Sequence, residues 1–468
     1  MPSVGLSMIV KNGAQTIRPC LESVRGVVEQ IVIGDTGCTD NTCDIAREFD
    51  ASIISVPWDN DFAKARNAAL EPVRTDWVLV LDADEELDRD GARNVPQLLD
   101  AADVGGYVTP IRNYVGARFS RAWDRTSVPN DGRHPRAKDA PAYFTHENCR
   151  FFRRHPKIYF TGRVHELVEP QVSALGLQLG SANFYIHHFG QLAETQAKDS
   201  KAVFYRELLR LRVQENPDDP LGWALLGLQE YEYSNDALEG LRCFARCLAL
   251  APRMAEAWLF TGMIFIDLGK YEEALRALEQ DRRAGNGTAL REQLKGDALQ
   301  SLGRFREARL AYRRALKWTG VEDPLLESKL GYTEVKAGQK DAGLARLRRA
   351  ARAVPGMFAI HDRLMKACIM ADRLPEAAEV AEGLAHALPK PKFYLRAASI
   401  RAKLQQWEES AAILTRGLLL FPQSPELRDA YEEAETMRRR RIGEGAGGAQ
   451  ATPHHENRVS GGIGCFPE

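Results

Sequence analysis

The sequence lacks an excess of charge of either sign, since 63 lysines and arginines face 64 aspartates and glutamates. Without a global field to hold a polyanion, a nucleic-acid partner is not expected. No uninterrupted apolar run approaches the roughly 18 residues that span a bilayer, and no basic start with a signal-type core follows Met1-Pro2. A soluble cytoplasmic protein is therefore expected. The eight cysteines, Cys20, Cys38, Cys43, Cys149, Cys243, Cys247, Cys368 and Cys465, contain no Cys-x-x-Cys pair. They indicate neither a disulfide scaffold nor a zinc ribbon, and a reducing compartment fits them. The N-terminal stretch also has no glycine-rich loop with a following lysine, which argues against a triphosphate-using nucleotidyltransferase. What is present is ordinary globular composition, 44% hydrophobic and 27% charged over 468 residues, a length for two or three domains.

Residues 1 to about 110 alternate short apolar runs with amphipathic segments, the pattern of strand–helix–strand units around a mostly parallel sheet. Strands are expected at Val4–Val10, Gln30–Gly34, Ser52–Val56, Trp77–Asp82 and Gly106–Pro110. Ile17, Leu21 and Val24 recur at helical spacing after the first, and Ile45, Ala46 and Phe49 after the second, with Asp40 placed to cap that helix. A Rossmann-like nucleotide-binding half comes first. Asn113 to Pro141 is polar and reads as a long loop, with short strands expected beyond it at Phe151–Phe152, Ile158–Phe160 and Phe184–His187.

From about Gln191 to Arg441 the pattern is helical and it repeats. Gly227, Gly262, Gly296 and Gly331 are spaced by 35, 34 and 35 residues, and Trp223 and Trp258 each precede their glycine by four. Ala274, Ala308 and Gly343 follow twelve residues after successive glycines, bulky Phe244, Leu278, Tyr312 and Leu347 fill the next slot, and Pro252, Pro355, Pro389 and Pro422 close repeats. This arrangement resembles tetratricopeptide repeats, in which small residues let paired helices approach and aromatics fill the groove between pairs. About six units are expected over 220–441, ending in a helix at Pro425–Arg441, with 191–219 as a linking helix. Arg438–Arg441 reads as a solvated helix end, and 442–468, with His454 and His455, as a disordered tail.

The chemistry concentrates where apolar runs meet acids. Trp77 to Leu81 reads as a buried strand, and Asp82-Ala83-Asp84-Glu85-Glu86 begins at its carboxyl end, where ligands gather in open sheets. Asp82 and Asp84, two apart on an extended segment, point the same way and suit Mg²⁺ or Mn²⁺; the bland alternative is a solvated acidic turn. Asp35 ends the second strand on the same edge, before a small-residue turn, and tips the reading toward a nucleoside diphosphate site.

Leu6–Asn12, Ile31–Asp40, Asp61–Asn67 and Asp76–Leu87 together resemble the N-terminal half of family-two glycosyltransferases of the GT-A fold. The likeness is to the bacterial branch with "KNE", "VDTGSTD", "DFAxARN" and "LDADE" segments, often followed by tetratricopeptide repeats. It covers roughly 4–190 for the transferase and 220–440 for the repeats. The chain departs from the pattern at Gly13, where Glu is usual, and at Gly34 and Cys38, where Val and Ser are usual. The fold so implied is an α/β GT-A domain at 1–190 followed by an all-α tetratricopeptide-repeat solenoid.

The resemblance implies roles. Asn12, Asp35, Arg66, Asn67 and Asp82 would contact a nucleotide sugar, with Asp35 at its uracil or ribose end; a surface helix charge is the alternative for Arg66. Asp82, Asp84 and His188 would hold Mg²⁺ or Mn²⁺. Phe160-Thr161-Gly162-Arg163-Val164-His165-Glu166 resembles the branch's "F-x-G-x-[IV]-H-E" segment, making Glu166 the expected base, with His165 orienting it or touching the sugar. A structural pairing partner is the alternative for Glu166. His188 lies in a segment resembling the family's final "H-x-G", which implies a third metal ligand or a pyrophosphate donor, with a purely structural histidine as the alternative. The expectation is an inverting, metal-dependent transfer from a UDP-sugar to a peptide or protein held by the repeats, which also offer a surface for protein partners. A glycan acceptor, as in lipopolysaccharide-core sugar transfer, and a non-catalytic repeat scaffold with a decayed transferase domain are the competing readings.

Overall fold

The computed structural model describes residues 2–116, 121–122, 125–193, 198–285, 288–320 and 322–447. Two compact units divide the chain: Met1–Arg304 with Arg313–Val321, and Phe305–Tyr312 with the chain from Glu322 onward.

The first unit begins with a mixed sheet. Its strands are β1 (Val4–Val10), β2 (Gln30–Asp35), β3 (Ser52–Ser55), β4 (Trp77–Val80), β5 (Glu85–Leu87) and β6 (Val104–Val115). The short β7 (Arg121–Ala122), β8 (Arg125–Thr126) and β9 (Val128–Pro129) follow, then β10 (Ala142–Arg153), β11 (Gln178–Ser181) and β12 (Ile186–His188). The order is β3-β2-β1-β4-β10-β6-β12-β5, with β11 joined to β6 and β9 to β10. Strands β1 to β4 are mutually parallel, β10 runs antiparallel to both β4 and β6, and β12 is parallel to β6. The carboxyl ends of β2, β4, β6 and β12 therefore share one edge. Connections between the parallel strands carry α1 (Ile17–Ser23), α2 (Thr42–Arg47) and α3 (Phe62–Leu70), and α4 (Arg89–Leu98) follows β5.

Apolar patterning explains the centre. All four residues of β4 are buried, as a strand covered on both faces requires. Trp77 is fully buried, stacked on Phe151 at 5.0 Å between ring centroids, with Arg153 over its ring at 4.6 Å. Asp61 caps α3 by accepting a 2.9 Å bond from the Lys64 N–H, as its position one residue before the helix favours.

The expectations fail in three places. Ile158–Phe160 is no strand; it is a loop whose Ile158 and Phe160 are buried in the core, and burial of alternate residues there mimics a strand's period. The polar 113–141 stretch is less of a loop than expected, since β6 runs on to Val115 and three short strands precede a turn at Pro135–Ala137. The segment 442–468 is not wholly irregular: the last helix, α20 (Pro425–Gly447), runs past Arg441 because an established helix extends cheaply. His454, His455 and Cys465 lie outside the described residues.

Helices complete the chain. In the first unit, α5 (Glu169–Ala174), α6 (Gly190–Ala193) and α7 (Lys198–Glu215) lead to α8 (Pro220–Glu232), α9 (Ala237–Leu250), α10 (Ala255–Asp267), α11 (Tyr271–Ala284) and α12 (Ala289–Ser301). Asp219 caps α8, accepting from the Gly222 N–H at 3.0 Å, and Pro220 at the first helical position needs no partner for a missing N–H. The indole N–H groups of Trp223 and Trp258 each donate to a carbonyl six residues earlier, Pro217 and Pro252, at 2.9 Å. The second unit holds α14 (Pro324–Lys336), α15 (Lys340–Ala353), α16 (Phe358–Met370), α17 (Leu374–Ala387), α18 (Pro391–Lys403), α19 (Trp407–Leu420) and α20; α13 (Phe305–Thr319) is shared between the units. A Cβ on Gly331 would lie 2.9 Å from the Gly343 carbonyl, so α14 and α15 meet backbone to backbone. Pro355, Pro389 and Pro422 each stand two residues beyond a helix end. No helix among the described residues is long and apolar enough to cross a membrane.

Trp77→Ala removes the largest side chain of the sheet core and is expected to cost about 3–5 kcal/mol. The check is a lowered urea midpoint for the unfolding transition of the N-terminal sheet.

Candidate functional site

The shared sheet edge collects the polar residues. Asp35 closes β2, Asp82 and Asp84 follow β4, Asn113 nears the end of β6 and His188 ends β12. β1 and β4 are in register from Val4↔Trp77 to Ser7↔Val80, and β1 pairs with β2 as far as Val10↔Asp35, which brings the acids of β2 and β4 to the same rim.

Arg66, on the inner face of α3, is the hub. Its side chain is 8% exposed, its Nη2 donates to Asp82 Oδ1 at 2.7 Å and its Nε donates to Glu166 Oε1 at 2.5 Å. A second buried arginine, Arg150 of β10, donates from Nη2 to Asp82 Oδ2 at 3.3 Å and to Glu85 Oε1 at 3.0 Å. Burial works against the charge on Asp82, but the two guanidinium groups outweigh it and hold the carboxyl well below its usual range. Burial dominates at Glu85 and raises it, despite Arg150. Arg66 Nη1 and Arg150 Nε are buried without a hydrogen-bond partner.

Asp84 faces the other way. Its Oδ2 lies 3.3 Å from His188 Nε2, while His188 Nδ1 is 2.7 Å from Asn113 Oδ1. Burial would lower His188, yet the bond to Asp84 and the neighbouring acids Glu85, Asp84 and Asp82 raise it. Gly190 makes this contact possible, since a Cβ there would sit 2.5 Å from Asp84 Oδ2 and 2.7 Å from His188 Nε2.

The remaining expected residues fall into two groups. Asn12, in the left-handed region at φ 54°, accepts from the Thr39 N–H at 2.8 Å, beside the turn that follows Asp35. Asp35 Oδ1 accepts from the Gly37 and Cys38 N–H groups at 2.9 and 2.7 Å; burial opposes its charge, but these bonds lower it. Asn67 and His165 are spent on structure. Both ends of the Asn67 amide bind the Phe160 backbone, at 2.9 and 2.8 Å, so the side chain anchors the segment leading to Glu166. His165, at φ 51° and lowered by burial, stacks on Tyr205 of α7 at 6.0 Å. Asp40 accepts from the Thr42 and Ala14 N–H groups, clasping the start of α2 to the chain after β1.

The departure at Gly13 has a packing cause. A Cβ there would meet Val10 Cγ2 at 2.9 Å and the Cβ of Ala83 at 3.1 Å, which leaves no space for a glutamate beside the Asp82–Asp84 turn. Sequence reasoning missed Arg150, Glu85, Asn113 and Gly190. A charge inside the otherwise apolar run Cys149-Arg150-Phe151-Phe152 was the available signal for the first.

Known proteins give this geometry a context. Residues 6–157 match the pattern described as Glycosyl transferase family 2, while 225–287 and 260–335 match a Tetratricopeptide repeat and a Tetratricopeptide repeat-like domain. The chain carries a family 2 glycosyl transferase domain. A TPR repeat-containing protein of Synechococcus elongatus is 30% identical over 235 residues, 48% of this chain and 52% of that protein. The SPbeta prophage-derived glycosyltransferase SunS of Bacillus subtilis is 28% identical over 227 residues, 46% of this chain and 47% of SunS. The chain thus spans about half the length of the curated relatives it matches. The crystal structure of PilW, a type IV pilus biogenesis factor, aligns with 45% of this chain and 97% of its own at 20% identity and a TM-score of 0.40. Within the transferase domain, Asp35, Arg66, Asp82, Asp84 and Arg150 all lie inside the matched span, whereas Glu166 and His188 lie beyond it.

Gly190→Ala should push apart Asp84 and His188. Since the Asp84 bond is the main influence raising the imidazole against its burial, the His188 pKa should fall, read from the pH titration of its ring signals by NMR.

Proposed function

We propose that the chain is an inverting glycosyltransferase that takes a sugar from a nucleoside diphosphate donor, with UDP the expected carrier. The observation that supports this best is the pair of buried arginines, Arg66 and Arg150, each keeping an unpartnered N–H beside Asp82 at the sheet rim where Asp35 also ends. Buried donors without partners are costly and suit an anionic ligand, and the planar guanidinium fork matches phosphate oxygens. In this reading Asp35 and Asn12 hold the nucleoside end, and Arg66 with Asp82 faces the diphosphate.

The donor set also suits a divalent cation. Asp84 and His188 already approach to 3.3 Å, both partly exposed, whereas both oxygens of Asp82 are turned to arginines. Asp84 and His188 would hold Mn²⁺ or Mg²⁺, with Asp82 adjoining, and phosphate oxygens and water would complete the shell. Bound there, the ion supplies Lewis-acid stabilisation of charge on the departing diphosphate. Arg66 shares that task from the chain's own side.

Glu166 is the proposed base. Arg66 Nε fixes its Oε1, which orients the carboxylate and leaves Oε2 outside that bond to receive the acceptor proton. His165 acts through the backbone of its loop, and Asn67 positions the same loop through Phe160. The acceptor is a peptide or protein presented by the repeats, which expose Tyr233 after α8, Leu238 of α9 and Trp318 of α13 to solvent. A peptide library incubated with the protein and several nucleotide sugars, read by mass spectrometry, tests this: a hexose added to peptide supports it, and transfer confined to glycan acceptors refutes the acceptor assignment.

Asp84→Ala is expected to lower metal-dependent transfer by at least about 100-fold, in line with loss of a principal electrostatic group. Normal turnover in that variant would refute the cation assignment. Glu166→Gln should lower kcat by about 10²–10⁴-fold while UDP binding, measured by calorimetry, stays within about twofold. Apparent Mn²⁺ affinity should rise with pH as the raised His188 gives up its proton, because only the neutral ring binds metal. His188→Gln should flatten that slope.

A further inference from the structure

Two thiols stand at the turn after β2 with no part in the proposed transfer. Asp35 closes that strand, Cys38 follows three residues later and Cys43 lies in the first turn of α2. One carboxylate oxygen of Asp35 and the Sγ atoms of Cys38 and Cys43 all lie within 4.8 Å of one another. All three residues are half-buried, so solvent reaches them, while the other described cysteines, Cys20, Cys149, Cys243, Cys247 and Cys368, are buried.

The backbone sets this geometry in advance. The N–H groups of Gly37 and Cys38 fix Asp35 Oδ1, and the Asn12 N–H donates to Cys38 Sγ at 3.3 Å. The spacing Asp-x₂-Cys-x₄-Cys falls within the short loops that deliver paired cysteines to zinc. Two thiolates and one carboxylate form a soft donor set, which favours Zn²⁺ over Mg²⁺ or Ca²⁺.

We propose that Asp35, Cys38 and Cys43 form a binding site for one thiophilic divalent cation of the Zn²⁺ class, with three protein ligands and a fourth position open to solvent. On binding, two S–H bonds break, two metal–thiolate bonds form and two protons pass to solvent, with no change of oxidation state. A tetrahedral ion with metal–sulfur bonds of about 2.3 Å would hold the sulfurs about 3.8 Å apart, within the 4.8 Å limit that the three ligand atoms already meet. The ligands are distinct from Asp84 and His188; Asp35 alone is common to the donor reading, so a cation and a nucleoside would compete for its carboxylate, while the two thiols belong to the cation site only.

The test uses the full reduced chain with Co²⁺ as a spectroscopic stand-in for Zn²⁺. One equivalent should produce a near-ultraviolet thiolate-to-cobalt charge-transfer band that Zn²⁺ then bleaches. Cys38→Ser and Cys43→Ser should each weaken Co²⁺ affinity by more than the ~10–100-fold typical of losing an outer-shell partner. Asp84→Ala should leave the band unchanged. Circular dichroism of both serine variants reports their folding independently. Absence of the band in the parent chain, or its survival at full strength in either folded serine variant, overturns the proposal.

Discussion

The buried guanidinium of Arg66 is the constraint on which the rim depends. It joins three elements that are distant in sequence: helix α3, the turn after β4 through Asp82, and the loop after β10 through Glu166. Desolvating an arginine works against its charge, and here the paired carboxylates of Asp82 and Glu166 more than offset that penalty, so the group stays charged. Such a network contributes little certain net stability. Its effect is to fix geometry, because removing the Arg66 guanidinium takes from Asp82 and Glu166 the one charge they share, and breaking a buried pair costs about 3–5 kcal/mol in comparable cases. The loop carrying Glu166 is thereby tied to the acidic turn.

The same loop is braced from behind by α7. A Cβ on Gly162, at φ +95°, would lie 2.5 Å from Arg212 Nη1, and that nitrogen donates to the Val164 carbonyl at 2.7 Å. Arg212 is in turn held by Asp219, the cap of α8, at 2.7 Å. Arg163 joins the Asp59 and Asn60 carbonyls to Glu215 at the end of α7. Helix α7 thus supports the loop that carries Glu166.

Much of this arrangement was legible in the residues. Apolar runs ending in Asp35 and Asp82 mark strand ends, and parallel pairing follows from the helices between them, so their meeting at one edge needed no coordinates. The glycine and tryptophan spacing likewise marked the helix pairs. Arg150 was hidden because its contact with Asp82 depends on β10 inserting between β4 and β6, an antiparallel crossing of strands far apart in sequence. β5 was hidden because its three residues, two of them acids, carry no strand signature; buried Glu85 is met by Arg150 and the Asp82 N–H, and buried Glu86 by Arg136 and His134. The apolar period of Ile158–Phe160 misled, since a loop lying on a core buries alternate side chains as a strand does.

A second charged cluster explains why the polar stretch before β10 is held in place. Glu86 accepts from Arg136 and lies 3.2 Å from His134 Nε2, while Arg112 of β6 donates to Asp131 at 3.0 Å. His134 packs on His187, whose Nδ1 lies 2.8 Å from the Tyr114 hydroxyl, and burial together with His134 lowers His187 to about 4. His187 therefore stays neutral at physiological pH, and its neighbour in sequence, His188, is raised by Asp84 on the opposite side of the strand. Consecutive histidines on one short strand thus take opposite electrostatic roles because alternation sends them to different faces. One locks the 128–141 segment to the sheet edge through neutral contacts, and the other presents a titratable group to the acidic turn.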